Sequence, residues 1–572
     1  MNNASTSIQS YPFFPQRKGV KLTGLWDFKF LQDIGFDELD ITTLKYDDRM
    51  PVPSAFDAFP AYNGKRGLGI YRCFIDIPAG TKSLLKIGAA AMYCKVFVDG
   101  VQIGEHYSAY TPFACPIPVS EQSSRELVIM TCNRFDYKKY PLQEGFFDFY
   151  AYGGIFREVD LQILPAGELF DWVAVDTLDY RNRRFRVCIE SSGRQNLAVT
   201  IDGSCQSKFQ DVVFKNGVFT FELELPELKC WSPECPHLHT LTVDNGNDAC
   251  TVRFGIRQVW TENGQIMLNG KPIKLLGFCR HEGHPQYGPA LPYQQVLADL
   301  QLLRNMGCNF VRGSHYPQDP RFLDLCDEFG FLVFEESMGW GQKVRHFEDP
   351  DFVEAQRKQT VEMIRASYNH PCIIMRGFLN EGESAAEASR ACYESLIQLI
   401  RSRDPFRLVT YASNRGMKDL FLEQIDVICF NIYPGWYVVD QDEENPLEEI
   451  EPKIDFYLAE LKNRGLAEKP FIISEIGAGA IYGWRDSICA QWSEEYQNEY
   501  LKIVCRKVVE DSRISGVALW QFCDCRTYRS ARALVRPRAF NNKGVLDEYR
   551  RPKLACESVK KIFRGFNPHE DQ

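Results

Sequence analysis

The chain has 572 residues with a formal net charge of −10, and 45% of the residues are hydrophobic. This length predicts roughly three or four domains, and the acidic balance argues against nucleic acid or an anionic membrane as the main partner. No apolar run approaches the ~18 residues of a membrane span, residues 1–10 lack the features of a secretory signal, and the 20 cysteines are scattered, which together predict a cytoplasmic protein.

The first two regions of the chain have the pattern of β-sandwiches. Residues 1–165 consist of short alternating runs between Gly, Pro and Asp turns. Residues 95–103 predict a hairpin with Asp99 and Gly100 at its turn. We predict an N-terminal jelly-roll β-sandwich here. The alternation continues over residues 166–258, a length that fits an immunoglobulin-like β-sandwich.

From residue 259 to residue 572 the pattern changes to apolar runs that alternate with amphipathic helical stretches, which is typical of βα units. The eight runs match the strand number of a (β/α)8 TIM barrel. The predicted strands cover residues 273–279, 308–312, 331–335, 372–379, 407–411, 426–431, 471–475 and 516–521. Helical periodicity is clearest in residues 296–306, 352–367, 388–401 and 450–464.

Two of these strands lead directly into a glutamate. Glu381 follows the fourth strand and Glu475 ends the seventh, so both would lie at the carboxyl-terminal rim of the barrel, where such enzymes keep their chemistry. Retaining hydrolysis of a glycosidic bond needs one protonated and one ionised carboxyl, about 5–5.5 Å apart. Asn380 beside Glu381 could hydrogen-bond the sugar 2-OH. The pair predicts a glycoside hydrolase without an organic cofactor.

Other polar and aromatic residues follow neighbouring strands. His281 comes after strand one and His315 after strand two, Tyr433 and Tyr437 after strand six, and Trp520 in strand eight. The two histidines lack the close spacing of a zinc site, so we predict no catalytic metal. Together on one rim, these side chains predict a binding pocket.

A basic run follows strand eight. Such a run is usually a solvated face, but a local group of cations at the rim of an acidic chain fits an anionic sugar. The carboxylate of that sugar needs a cation and an amide donor where water is excluded. The run and the two residues that would supply these groups are Arg526, Arg529, Arg532, Arg536, Arg538, Asn541 and Lys543.

Further motifs occur in a characteristic order. They are Gly24-Leu25-Trp26, Tyr110-Thr111-Pro112-Phe113, Phe254-Gly255-Ile256-Arg257, Asn269-Gly270-Lys271-Pro272 and Ser314-His315-Tyr316-Pro317. With the two glutamates, this set resembles glycoside hydrolase family 2 over nearly the whole chain, and within that family the bacterial β-glucuronidases without a long active-site loop.

The resemblance implies roles for single residues. It implies that Glu381 is the acid/base and Glu475 the nucleophile, that Asn541 and Lys543 hold the uronic carboxylate, and that Asp148 approaches the sugar 4-OH. It also implies a homo-oligomer. The remaining candidates for substrate contacts are His281, Asn380, Tyr433, Tyr437, Trp520 and Arg536.

The predicted function is therefore that of a retaining exo-β-D-glucuronidase acting on uronic-acid glycosides. A β-galacturonidase, or a hybrid that accepts both epimers, stays open because Asp148 can accept a hydrogen bond from either 4-OH. A β-galactosidase would leave Lys543 as an unused buried charge. A non-catalytic carbohydrate-binding protein would need a lesion elsewhere. The family usually has Trp where this chain has Arg376, for which we predict a salt bridge within the barrel.

Overall fold

The computed structural model describes residues 10–36, 39–136, 148–437, 446–528 and 536–566. Arg529 and Arg532 of the basic run lie outside the described residues. The chain folds into two β-sandwiches and a parallel barrel, as predicted. No helix in the described ranges is long and apolar enough to cross a membrane.

The jelly roll packs its core between two antiparallel sheets. In sheet order, the strands of the larger sheet are Asp48–Val52, Gly24–Leu31, Leu68–Asp76, Ser124–Cys132, Tyr93–Val98 and Val101–His106. Those of the second sheet are Lys18–Lys21, Val159–Ile163, Ser83–Ile87 and Phe113–Ile117, and a small third sheet holds Ser54–Ala55, Gly154–Ile155 and Ala90–Ala91. The predicted hairpin is confirmed, since Asp99 and Gly100 have φ of 49° and 78°, as a tight two-residue turn requires.

The second sandwich has three and four antiparallel strands facing each other. Its sheets are Trp172–Asp179, Arg184–Glu190 and Val218–Glu224, and Ser204–Val213, Arg194–Ile201, His239–Asp244 and Ala249–Phe254. Phe14 packs into this core, and Phe13 pairs through its backbone with Thr251. Phe13 and Phe14 therefore pack on the second sandwich, and Lys86 Nζ of the jelly roll lies 4.6 Å from the centroid of the Phe14 ring. No described strand spans residue 165 or 258; the domain boundaries there stay predictions.

The parallel sheet closes into a barrel. A short antiparallel sheet of Val259–Glu262, Gln265–Leu268 and Lys271–Ile273 leads into it. In the described ranges, the eight strands of the barrel, in chain order, are Leu275–Arg280, Phe310–Gly313, Leu332–Glu336, Ile373–Gly377, Leu408–Val409 with Ala412–Ser413, Ile428–Asn431, Phe471–Ile476 and Gly516–Leu519. Strand five is interrupted: its first piece pairs with strand four and its second with strand six, which closes the barrel. Every residue of these strands is buried, hence their largely apolar sequences.

Helices cover the outside of the barrel. They are Tyr293–Asn305, Pro320–Phe329, Val344–Phe347, Pro350–Ser367, Arg390–Arg403, Ile450–Asn463, Glu494–Glu510 and Leu554–Phe566. Short 3-10 turns occur at Ile41–Thr43, Phe56–Ala58, Glu387–Ser389, Gly416–Lys418, Pro446–Glu449 and Pro537–Ala539. Between strands five and six the described residues contain one of these turns, Gly416–Lys418, and no α-helix. A two-stranded pair of Cys525–Arg526 with Phe540–Asn541 lies beyond strand eight.

The jelly roll is fastened to the rim of the barrel through two of the family motifs. The ring of Tyr110 stacks on that of Tyr316, with centroids 3.8 Å apart. The buried Arg157 guanidinium donates to the Glu282 carboxylate at 3.0 Å and to the carbonyl of Pro317 at 2.7 Å. These contacts bring the jelly roll against the carboxyl-terminal ends of the strands.

Candidate active site

Glu475 lies in strand Phe471–Ile476 and its side chain is only 4% exposed. Arg312 Nη1 donates to its Oε1 at 2.8 Å, and the Tyr433 hydroxyl donates to its Oε2 at 2.7 Å. Two donors, one of them cationic, stabilise an ionised carboxylate. This environment suits a carboxylate nucleophile.

Glu381 lies just past strand Ile373–Gly377 in the left-handed region, with φ of 55°. Its backbone N–H donates to the carbonyl of Ala412 in strand five at 2.9 Å, and Asn431 Nδ2 donates to its Oε1 at 2.9 Å. Burial and the nearby charge of Glu475 raise the pKa of Glu381 to about 7. A carboxyl with this pKa holds a proton near neutral pH, as a general acid must.

A buried polar network joins the two glutamates. The fully buried Arg312 donates to Glu475 and, at 2.8 Å, to Asn380 Oδ1. Asn431 Nδ2 donates to the same oxygen at 3.0 Å, and Asn431 Oδ1 accepts from Ser474 at 2.8 Å. The oxygen of Asn380 is thus occupied by two donors. The NH2 group of Asn380 is therefore the part of the amide that can donate to a sugar hydroxyl. No individual role was predicted for Arg312 or Asn431, although a polar side chain inside an apolar strand is a signal for one.

Aromatic rings form a wall beside this network. The rings of His315 and Trp520 stack with centroids 5.1 Å apart, and His281 meets Trp520 edge-on at 5.3 Å. Burial lowers the pKa of His315 to about 3 and that of His281 well below its ordinary value. Both imidazoles are therefore neutral at pH 7, and a neutral imidazole can hydrogen-bond a ligand without adding charge to the site. His281 Nε2 has no hydrogen-bond partner within the described part of the chain.

Lys543 forms the cationic end of the site. Its side chain is 1% exposed, and Nζ donates to the Tyr437 hydroxyl at 2.7 Å. Nζ also lies over the rings of Tyr433 and Trp436, 5.4 and 5.3 Å from their centroids. No carboxylate of the described ranges pairs with it, and burial together with Arg536 holds its pKa well below the ordinary lysine value. Without a counter-anion in the described ranges, this amine has a reduced tendency to hold a proton, which a bound carboxylate would restore.

Asp148 of the jelly roll reaches the same end of the site. Arg536 donates to both of its oxygens, with 2.7 Å from Nε to Oδ1. Asn541 Nδ2 donates to Asp148 Oδ2 at 2.8 Å, and Arg536 Nη2 lies 3.3 Å from the Tyr437 hydroxyl. In this structure Asn541, predicted to bind a sugar carboxylate, donates to a protein carboxylate. The second hydrogen of its amide remains for a ligand.

The geometry agrees with comparisons to known proteins. The sequence model of the TIM barrel domain of glycosyl hydrolases family 2 matches residues 259–568. This chain belongs to glycosyl hydrolase family 2. Members of the family are glycoside hydrolases, and so is this protein.

Relatives of this family 2 hydrolase span its whole length. A β-glucuronidase of Streptococcus agalactiae is 27% identical, with 98% of each chain covered. The human β-glucuronidase is 28% identical, with 96% of this chain and 91% of the relative covered. A β-galacturonidase of Eisenbergiella tayi, solved with galacturonate bound, is 34% identical with a TM-score of 0.88, covering 98% of this chain and 99% of its own.

The predicted site residues of this hydrolase fall into three contact groups. Contacts of Tyr433 and of His315 link these groups to one another. Tyr433 links the glutamates to the cationic end, since its ring lies 5.2 Å from that of Tyr437. His315 links the aromatic wall to the glutamates, with Nε2 3.7 Å from Glu475 Oε1. The groups are Glu381, Glu475, Asn380 and Tyr433; His281 and Trp520; and Tyr437, Lys543, Arg536, Asp148 and Asn541.

The other arginines singled out from the sequence have different surroundings. Arg376 is fully buried, pairs with Glu335, and donates through Nε to Asp404 at 3.0 Å, so the predicted salt bridge within the barrel is present. Arg526 lies over the ring of Tyr150 at 3.8 Å. Arg538 donates to Glu548 at 2.9 Å. Among the described arginines of the basic run, Arg536 alone contacts Asp148 and Tyr437.

Proposed function

We propose that this hydrolase removes terminal β-D-hexuronic acids from glycosides with retention of configuration. Glu475 attacks the anomeric carbon while Glu381 gives its proton to the leaving oxygen. Glu381 then takes a proton from the water that releases the sugar. Asn380 donates to the 2-OH, a contact that strengthens in the transition state. Two carboxyls suffice for these steps.

The observation that carries this proposal is the buried amine of Lys543, which a bound carboxylate would hold in its charged form. Its hydrogen-bond partner is a neutral phenol, and π faces surround it. Burying a charge without a counter-ion is costly, and the carboxylate of a uronic acid would supply that counter-ion. A neutral galactoside would leave the charge uncompensated. The relatives are named as β-glucuronidases and a β-galacturonidase, which points the same way.

Two epimers compete as the preferred sugar. β-D-Glucuronides are the first candidate, because the implied contact of Asp148 with the 4-OH matches the β-glucuronidases. β-D-Galacturonides are the second, favoured by the 34% identity with the Eisenbergiella tayi β-galacturonidase. A carboxylate accepts from an equatorial or an axial hydroxyl, so Asp148 is compatible with both.

The test is turnover of p-nitrophenyl β-D-glucuronide, β-D-galacturonide and β-D-galactoside under identical conditions. We expect both uronides to be cleaved far faster than the galactoside, and the released sugar to keep the β-configuration by NMR at early times. Dominance of the galactoside would overturn the role of Lys543. Absence of turnover with all three substrates would favour a carbohydrate-binding protein.

We also propose a cytoplasmic location and a homo-oligomeric state. The 20 cysteines all lie in described residues and no two of them form a disulfide, which suits a reducing compartment. Family resemblance is the basis for the oligomer. Sedimentation velocity of the purified protein tests the assembly, and a single species at the mass of the monomer would contradict it.

A further inference from the structure

The segment that carries the cationic end of the site has two faces. Residues 541–544, here the clamp segment, begin at the end of strand Phe540–Asn541 and continue as a turn. Asn541 and Lys543 face the site, where they contact Asp148 and Tyr437. Asn542 and Gly544 face the opposite way, toward the buried Asp524.

Asp524 holds the hidden face of the clamp segment. Its Oδ2 accepts from Asn542 Nδ2 at 3.0 Å, and its Oδ1 accepts from the backbone N–H of Gly544 at 2.9 Å. The approach is close enough to exclude a side chain, because a Cβ on Gly544 would lie 2.2 Å from the backbone nitrogen of Asp524. The clamp segment is therefore pressed directly onto this carboxylate.

Lys553 completes the support. Its Nζ, with no solvent exposure of the side chain, donates to Asp524 Oδ1 at 2.7 Å and to the carbonyl of Asn542 at 3.1 Å. The third hydrogen goes to the carbonyl of Ala480 at 2.8 Å, four residues beyond the end of the strand that carries Glu475. The ion pair thus ties the backbone of the clamp segment to the chain that follows the nucleophile.

We infer that Asp524 and Lys553 are positioning residues that set the distance of Asn541 and Lys543 from the sugar carboxylate. This inference rests on the proposed uronide function. Neither residue contacts the site itself, so each acts through the clamp segment. Four hydrogen bonds join the side chains of the pair to Asn542, to Gly544 or to the loop beyond strand seven. None of the four involves the apolar core.

A buried ion pair is commonly replaceable by apolar residues with little loss of stability. A purely structural pair could therefore be neutralised without altering which ligand is preferred. A positioning pair, in contrast, fixes the separation between the cationic end and the catalytic glutamates. Its loss should weaken the grip on a carboxylate specifically and leave contacts to the sugar hydroxyls in place.

The experiment compares inhibition constants of a free uronate, D-glucuronate or D-galacturonate, with that of the matching neutral hexose. The double variant Asp524→Asn/Lys553→Met removes both charges together. We expect the uronate inhibition constant to rise by about tenfold or more, equal to about 1.4 kcal/mol, and that of the hexose to change less than about threefold. Asp248→Asn is the matched control, since Asp248 forms a buried pair with Arg17 in the second sandwich, and should leave the uronate-to-hexose ratio unchanged.

Asn542→Ala provides a milder test that leaves the ion pair intact and is used if the double variant does not fold. It should raise the uronate constant by about threefold to tenfold with the hexose constant unaltered. Equal changes in the uronate and hexose inhibition constants would overturn the inference. So would unchanged inhibition constants in both variants when those variants keep the thermal stability of the wild type. A wild-type protein that binds the hexose as well as the uronate would overturn the proposed function itself, and the inference with it.

Discussion

The carboxylate of Asp148 in the jelly roll receives two hydrogen bonds from the guanidinium of Arg536, 388 residues later in the chain. This pairing neutralises Arg536 within the protein. Among the described residues, Lys543 is then the basic group at this end of the site without a carboxylate partner, and it remains for a ligand. The division of labour between Arg536 and Lys543 follows from this contact.

Replacing Asp148 should alter the choice between the 4-OH epimers. In Asp148→Asn the sugar contact is weakened and the charge of Arg536 is released, so we expect kcat/KM for the preferred uronide to fall by about 10-fold to 100-fold. The ratio of glucuronide to galacturonide turnover should change as well. Asp76→Asn, at an exposed position of the same sandwich, is the control. An unaltered epimer ratio would remove Asp148 from sugar recognition.

Replacing Lys543 should separate uronides from neutral sugars. In Lys543→Met the carboxylate loses its cation, which typically costs about 2–5 kcal/mol, or about 30-fold or more in kcat/KM. Binding of the matching neutral hexose should stay the same or improve. Steady-state kinetics and competitive inhibition measure both quantities, with the surface variant Lys502→Met as control. Equal losses for charged and neutral ligands would show a general defect of the pocket.

Glu475→Gln should remove catalysis while preserving binding. Without a nucleophile we expect kcat to fall by about 10⁴-fold or more, because the amide cannot form the glycosyl intermediate. The dissociation constant of a uronate should change little, since Arg312 and Tyr433 can still bond to the amide. Calorimetry and single-turnover kinetics test this, with the exposed Glu557→Gln as control. Retained turnover would contradict the assignment.

Glu381 should govern the alkaline side of the pH profile. The general acid must be protonated, and its pKa is raised to about 7 by burial and by Glu475. We therefore expect kcat/KM for a substrate with a poor leaving group to decline as the pH rises through about 7. In Glu381→Gln this limb should disappear and activity should drop, least for an activated aryl glycoside. A limb unchanged by the substitution would assign it to another group.

The same group affects stability with a definite sign. Between pH 4.5 and about 7 the folded protein keeps the Glu381 proton that the unfolded chain has lost, so the free energy of unfolding decreases as the pH rises through this window. Glu381→Gln should therefore be the more stable protein above pH 7, by up to about 3 kcal/mol. The difference should vanish near pH 4. Denaturant unfolding at both pH values measures it.

Arg376 should matter for stability and not for chemistry. Arg376→Met would leave the buried Glu335 and Asp404 with one partner fewer, and breaking a buried pair typically costs about 3–5 kcal/mol. We expect lower resistance to denaturant with kcat of the folded fraction unchanged. Arg390→Met, which breaks a partly exposed pair with Glu387, should cost less than about 1 kcal/mol. A large loss of kcat in the folded Arg376 variant would contradict this role.

The barrel could be predicted closely because its strands are buried on both faces. The predicted range 471–475 became Phe471–Ile476, and 331–335 became Leu332–Glu336. Strand five was predicted as one run over 407–411, whereas it is split around Thr410, whose N–H donates to the carbonyl of Arg376 at 3.1 Å. Such an interruption depends on closure of the sheet, which apolar runs do not encode.

The site could be predicted only in part. Glu381 and Glu475 could be predicted to lie at one rim because the strand ends of a barrel converge, whatever the packing inside. The roles of Arg312 and Asn431 were missed because they depend on contacts across the barrel interior, between residues as far apart as Arg312 and Glu475. The packing of Phe14 on the second sandwich was also missed, because it depends on contacts with residues that are distant in the sequence.

The contact between Asp148 and Asn541 also has a consequence for biosynthesis. These residues are 393 positions apart, and Asp148 leaves the ribosome long before Asn541 has been translated. A nascent chain that already has a folded jelly roll, and even one that contains both glutamates, still lacks the cationic end of its pocket. The cationic end is therefore completed only after residue 543 has been translated, and a chain cut short by premature termination before residue 541 lacks it.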